Sequence, residues 1–346
     1  MKSTPKLTFI ILLLITALIL GACSSPAPES TQDTSTEDEV DLTDPFLVTS
    51  LADAKSAVIQ IAAQGTFVDP EFGEYSGAGF GSGFIIDQSG LALTNNHVVT
   101  GAALLEVWVG GDTTKTYNAQ ILAVSECSDL ALIDIEGDGF PYLAWYPDPI
   151  TVGLEIYAAG FPLGDPEYTL TRGIISKEEA NGESTWASVN HVLEHDATIN
   201  PGNSGGPLIT GDGQVVGINY ASYAEAGQFF AIARDTALPI IETLKSGEDV
   251  DSLGINGVAV VSEDGSLSGI WVNSIKSGSA ADEAGVEPGD LITSMERLDL
   301  ATDGDMSAYC DIIRTQGDEN TLAMEVVRFD TNEILEGQFN GCLLYT

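Results

Sequence analysis

A serine at position 204 stands among glycines at 202, 205 and 206, in the run Asn200-Pro201-Gly202-Asn203-Ser204-Gly205-Gly206-Pro207. Glycine admits positive φ and lets another chain approach closely. In such a turn the N–H groups of Gly202 and Ser204 can point at one spot beside the Ser204 hydroxyl. That is the geometry of a nucleophile with its own oxyanion hole. A glycine-rich hairpin loop is the plain alternative, because Gly, Asn and Pro also favour ordinary turns. The nucleophile reading therefore needs a base, an orienting acid and a scaffold from elsewhere in the chain.

The chain has three histidines, His97, His191 and His195. Gly81–Asp87 reads as a strand, Gln88-Ser89-Gly90 as a turn and Leu91–Thr94 as a second strand. His97 thus falls just past a strand end, where a scaffold tends to carry functional residues. Its ordinary pKa of about 6.5 suits a base that must later act as an acid. Asp129 opens an apolar strand, Leu130–Ile135, and is either a turn residue or the orienting acid; Asp134 within that strand is expected to face outward. Val48–Ile61 reads as a short helix leading into a strand, and Gly65–Gly79 as a loop in which Phe67, Phe72 and Tyr75 are candidate contact points.

Four segments carry a resemblance: Gly81–Ile86, Leu93–Val99, Ser128–Leu132 and Gly202–Pro207. Together, in the order His, Asp, Ser, they resemble the HtrA/Deg family of trypsin-like serine proteases, over nearly all of 46–346. The resemblance implies a mainly β fold, with a chymotrypsin-type double β-barrel followed by a PDZ domain. It implies a triad of Ser204 as nucleophile, His97 as base and Asp129 as its partner, with the Gly202 and Ser204 amides as oxyanion hole. It implies no cofactor. Thr198 lies where trypsin-like pockets place an acid that selects Lys or Arg. With Ile199, Ile218, Asn219 and Tyr220 it predicts an apolar S1 pocket of modest size. Asn203 stands where trypsins have an aspartate, so activation by a new N-terminus is not expected. Gly160-Phe161-Pro162-Leu163-Gly164 resembles a family loop, with Phe161 in place of asparagine.

The expected domains are a leader over 1–22, an acidic spacer over 23–45, the protease over 46–247 and the PDZ unit over 250–346. In the last, Gly269–Ile275 reads as a strand, Ser277–Gly285 as a short helix and Val286–Ile292 as a turn and strand. This run resembles a PDZ domain, which implies that Leu253-Gly254-Ile255 receives a peptide carboxylate by strand addition. A helix near Met306–Arg314 would wall that groove. The partners implied are misfolded proteins and peptide C-termini, in a homotrimer for which Phe67, Phe72 and Tyr75 are contact candidates.

Lys2 and Lys6 precede an apolar stretch, Leu7–Leu20, too short for a comfortable membrane span and right for a signal segment. Leu20-Gly21-Ala22-Cys23 resembles a bacterial lipobox, which implies lipid on Cys23 and a place on the outer side of a bacterial membrane. Secretory cleavage nearby is the alternative. With 12 Lys+Arg against 52 Asp+Glu and a formal charge of −40, phosphate-backbone binding is excluded as a role. No Cys/His cluster has zinc spacing. An exported compartment permits a disulfide; Cys310 with Cys342 is one candidate pair, which spacing alone does not establish, and Cys127 reads as a small buried hydrophobe. A protease scaffold that only binds proteins is the competing class of function.

Overall fold

A computed structural model of the chain describes residues 43–346. The expected leader, Cys23 and nearly all of the acidic spacer lie outside the described residues. Two closed six-stranded barrels are followed by a six-stranded sheet with two helices, one of its strands being the two-residue Leu298–Asp299.

The first barrel runs β1 (Val58–Asp69), β2 (Gly73–Ile85), β3 (Leu91–Thr94), β4 (Leu104–Val109), β5 (Tyr117–Ser125) and β6 (Leu130–Ile135), closed in the order β1-β2-β3-β6-β5-β4. The second runs β7 (Glu155–Gly160), β8 (Thr169–Glu183), β9 (Ser188–His195), β10 (Pro207–Ile209), β11 (Val215–Tyr223) and β12 (Gln228–Ala233), closed as β8-β9-β12-β11-β10-β7. A four-residue helix, α1 (Asn96–Val99), leaves β3, and α2 (Arg234–Leu244) follows β12.

The two-residue period of a strand explains why those buried on both faces are apolar at successive positions. Along β6, Leu130 and Leu132 belong to the cluster between the barrels, while Ala131 and Ile133 belong to the interior of the first. In the second barrel Ile209 and Val215 join the shared cluster, and Leu208 and Val216 the barrel interior. Each such side chain contributes roughly 1.5–3 kcal/mol by leaving water.

Two local expectations are corrected. Val48–Ile61 is not helical beyond a single 3₁₀ turn at Ala54–Ala57, because β-branched Val58, Ile59 and Ile61 extend into β1. Gly65–Gly79 is not a loop: β1 and β2 pair residue by residue out to Asp69 opposite Gly73. The Asp69 carboxylate closes the tip by accepting from the amides of Glu71 and Phe72. Phe67 is buried against Tyr75, whereas Phe72 and Tyr75 are exposed.

The last unit runs β13 (Ile255–Val261), β14 (Ser268–Ile275), β15 (Asp290–Met295), β16 (Leu322–Arg328) and β17 (Glu333–Phe339), hydrogen-bonded in that order, so β13 is an edge strand. Helix α3 (Ala280–Ala284) starts at Ser279, whose hydroxyl caps the Asp282 amide, and stops at left-handed Gly285, as its Ser and Gly predict. Helix α4 (Ser307–Gln316) falls close to the expected groove wall.

The cysteine pairing differs from expectation. Cys127 is bonded to Cys310, not Cys342 to Cys310, and Cys342 is exposed and free. Cys310 sits on the buried face of α4 with Tyr309 and Ile313, and Cys127 is buried in that same core. Residue 342 follows β17 and is exposed. Nearness along the chain was a poor guide; the partner comes 183 residues earlier, from the first barrel's β5–β6 turn.

Candidate functional site

Asp129 sits at the turn into β6 with a left-handed φ of 52°, fully buried. Its oxygens are both used by His97: the backbone amide donates to Oδ1 at 3.0 Å, and ring Nδ1 lies 2.8 Å from Oδ2. An ionised carboxylate only accepts, so Nδ1 carries the proton and Nε2 presents its lone pair. Asn95, the residue before α1, donates its side-chain amide to the Asp129 carbonyl at 2.7 Å. Trp186 packs against the imidazole, centroid to centroid 5.5 Å.

The nucleophile loop is set by one peptide plane. Leu163 N–H donates to the Pro201 carbonyl at 2.7 Å. Carbonyl and N–H point opposite ways across a trans peptide, so holding the Pro201 oxygen on the Leu163 side turns the Gly202 N–H to the other. Gly202 has φ of 98°, and a Cβ there would lie 2.8 Å from the Leu163 nitrogen and 2.9 Å from the Phe161 oxygen. Among the described residues, neither the Gly202 nor the Ser204 amide donates to a protein acceptor. Neighbouring amides are all committed: Asn203 to Asn200, Gly205 to Asn219 and Gly206 to Asn203.

Ser204 and His97 wall one cavity of about 320 Å³, with Gly202, Trp186 and Phe80 around them. No hydrogen bond joins the Ser204 hydroxyl to the imidazole among the described residues; such contacts are often loose before substrate binds. Asn256, Val258 and Asn273 of the last unit complete the wall. An acyl carbon held here would meet a hydroxyl, a lone-pair nitrogen and two unpaired amides.

Residues 81–218 match the family model described as a trypsin-like peptidase domain, and 271–328 one described as a PDZ domain. The chain is 32% identical over 296 residues to the putative serine protease HhoA of Synechocystis, covering 76% of this chain and 74% of that protein. The chain belongs to the HtrA family of trypsin-like serine proteases. It is 36% identical over 273 residues to a probable periplasmic serine endoprotease, DegP-like, of Hahella chejuensis; the match covers 71% of this chain but 56% of that protein. The chain spans about half the length of the DegP-like relatives it matches, 56% and 52%. The solved structure titled HtrA-type protease AlgW with decapeptide superposes with a TM-score of 0.51 at 25% identity, covering 86% of this chain and 98% of that one.

In this HtrA-family chain the structure brings His97, Asp129, Ser204 and Gly202 together. The five residues expected at S1 do not line the catalytic cavity. Thr198 is exposed and its carbonyl accepts from Thr171. Ile199 and Ile218 are core residues. Asn219 donates to the Gly206 and Pro207 carbonyls beneath the nucleophile loop. Tyr220 donates to the Gly182 carbonyl and borders a separate cavity of about 90 Å³. Leu253 and Gly254 precede β13 and Ile255 opens it, and their three amides converge on the Glu126 carboxylate.

Three residues were missed in the sequence. Ser82 is buried and ties the loops together: its hydroxyl donates to the Gly202 carbonyl at 2.7 Å and accepts from Phe161 N–H at 2.8 Å, and its amide donates to the Ser204 carbonyl. Phe161, the departure from the family loop, buries its ring against Tyr168 and leaves this backbone bond intact. Trp186 and Glu126 carried no local signal, since each acts on residues far along the chain.

Proposed function

We propose that this chain is a serine endopeptidase that hydrolyses peptide bonds of misfolded or exposed proteins outside the cytoplasm, in protein quality control. The observation that carries the reading is the His97–Asp129 pair sharing a cavity with Ser204 beside two unpaired amides. Ser204 Oγ attacks the carbonyl carbon while His97 Nε2 takes its proton. The oxygen that gains charge is met by Gly202 and Ser204 N–H. His97 then returns the proton to the leaving amine, the acyl–Ser204 bond forms as the peptide bond breaks, and water hydrolyses the ester by the same route. Asp129 holds the ring and offsets its charge when it is doubly protonated.

The remaining parts of the reading follow the family. The PDZ unit takes peptide C-termini at Leu253-Gly254-Ile255, consistent with a relative solved with a decapeptide. The assembly is a homotrimer. Relatives named periplasmic support an extracytoplasmic place, with lipid on Cys23 as the anchor. Replacing Cys23 by Ala should move the protein from the membrane pellet to the soluble fraction; an unchanged pellet removes the anchor.

Casein hydrolysis by wild type and Ser204→Ala tests the chemistry. Loss of a nucleophile of this type lowers kcat by about 10⁶. Equal activity in the two, or fluorophosphonate labelling at a residue other than Ser204, overturns the assignment.

A further inference from the structure

We propose that the carboxylate loop of the PDZ unit already holds a ligand, the Glu126 side chain of the protease unit, which a peptide C-terminus must displace. This rests on the reading of Leu253-Gly254-Ile255 as a carboxylate loop. Glu126 Oε2 accepts from the amides of Leu253, Gly254 and Ile255, each at 3.0 Å, and from the Ser252 hydroxyl at 3.2 Å. The Tyr309 hydroxyl on α4 donates to the other oxygen. Three successive amides on one carboxylate oxygen reproduce the capture of a peptide terminus in a backbone nest.

The imitation extends along the groove. Cys127, next in the chain, is buried in the cluster that includes Leu253, Ile255 and Ile313, the place for a terminal apolar side chain. An added peptide strand would pair with the edge strand β13. There the Ala259 amide already donates to the Thr185 carbonyl at 2.6 Å, from the turn between β8 and β9. At the head of α4 the Met306 amide donates to the Ser184 carbonyl at 3.1 Å. One protease turn, Ser184-Thr185, thus touches both walls, and the Cys127–Cys310 bond makes the seating covalent. Burial pushes the Glu126 carboxyl up to about 7, against the pull of its hydrogen bonds.

A tethered ligand competes at an effective concentration on the order of millimolar. Peptide affinity then falls by the fraction of time the loop is free. The same turn carries Asp129, whose amide donates to the Glu126 carbonyl at 3.2 Å, so PDZ occupancy and the triad acid meet in one turn.

The test is fluorescence anisotropy with the full chain, in a Ser204→Ala background that prevents cleavage. The probe is a fluorescein-labelled decapeptide ending in a free valine carboxylate, with its amidated form as control. The Glu126→Ala/Cys127→Ser/Cys310→Ser variant is expected to bind the free acid at least about tenfold more tightly than the parent, and not the amide. Equal affinity in parent and variant overturns the proposal. Absence of free-acid binding in both overturns the C-terminus reading itself, and displacement with it. Should that variant fail to fold, Glu126→Ala alone removes the carboxylate while keeping the Cys127–Cys310 bond. It is expected to gain about threefold, and no gain overturns the proposal.

Discussion

The amides of Gly202 and Ser204, and those of Leu253, Gly254 and Ile255, are two versions of one device. In each, backbone N–H groups at a loop or a strand's first residue lie where a negatively charged oxygen could be held. At the nucleophile they donate to no protein acceptor, because the Leu163 amide holds the Pro201 carbonyl away from them. At the head of the PDZ groove all three are satisfied by one side-chain oxygen from 127 to 129 residues earlier in the chain. An oxyanion exists only as the bond breaks, so its donors must wait unpaired in a fixed place. A resting carboxylate has no such constraint, and a chain that supplies one can hold its own receptor shut. Kept donors speed chemistry; filled donors lend rigidity.

Breaking the tether at the filled site should have the largest effect on stability. For cysteines 183 residues apart, the loop-entropy relation gives about 5 kcal/mol. Cys127→Ser/Cys310→Ser should lower unfolding free energy in urea by that order. An unchanged midpoint would mean that the PDZ unit is held by its hydrogen bonds alone, and the contrast between the two amide sites would weaken.

The complementary change strikes the unpaired donors. At Gly202 a methyl group meets the Leu163 nitrogen and Phe161 oxygen inside 3 Å, at a φ that L side chains avoid. Gly202→Ala must turn the peptide plane and lose one donor. kcat should fall about 10²–10³-fold, or roughly 3–4 kcal/mol, with KM little changed. A change confined to KM would mean that the amide binds ground state and transition state alike.

These two sites also separate what local sequence reveals from what it hides. Ser204, His97 and Asp129 stand in short motifs whose glycines, turns and strand ends shape their own surroundings, and they could be read in order. Leu91–Thr94 and Leu130–Ile135 could be read as strands because apolar residues on both faces leave few alternatives. Glu126 could not: nothing within ten residues differs between a solvated acid and one aimed at amides more than a hundred residues on. The Cys127–Cys310 pair was hidden for the same reason. Ser82 lay inside a quoted motif, yet its bridge to Gly202 appears only once both loops are in place. The β1–β2 extension was taken for a loop because glycines outweighed Thr66, Phe67 and Val68, whose pairing decides the matter.

A smaller effect probes the floor under the unpaired donors. His195 is buried, with its ring stacked on Phe229. Burial lowers its pKa from 6.5 to about 4. Between those values the unfolded chain binds a proton that the folded chain refuses. The contribution is present above pH 6.5 and is lost as pH falls through 4, amounting to about 3 kcal/mol. His195→Leu should remove this slope, so the stability difference between wild type and variant should shift by about 3 kcal/mol from pH 7 to pH 4. A constant difference would mean that His195 stays hydrated.

Neither amide cluster can tell one substrate side chain from another, since backbone N–H groups meet only oxygen. Selection at P1 must come from side chains, and Val68, Phe80, Val98 and Val258 supply apolar wall to the cavity that holds Ser204 and His97. Asp69 reaches the catalytic cavity, but one of its oxygens is committed to the Glu71 and Phe72 amides at the hairpin tip. A guanidinium seated against apolar residues loses water without gaining a partner. Fluorogenic peptides with Val at P1 should therefore be cleaved with kcat/KM about ten- to a hundredfold above the P1-Arg versions. A preference for Arg would reverse the assignment and turn attention to Asp69, whose replacement by Asn should then abolish it.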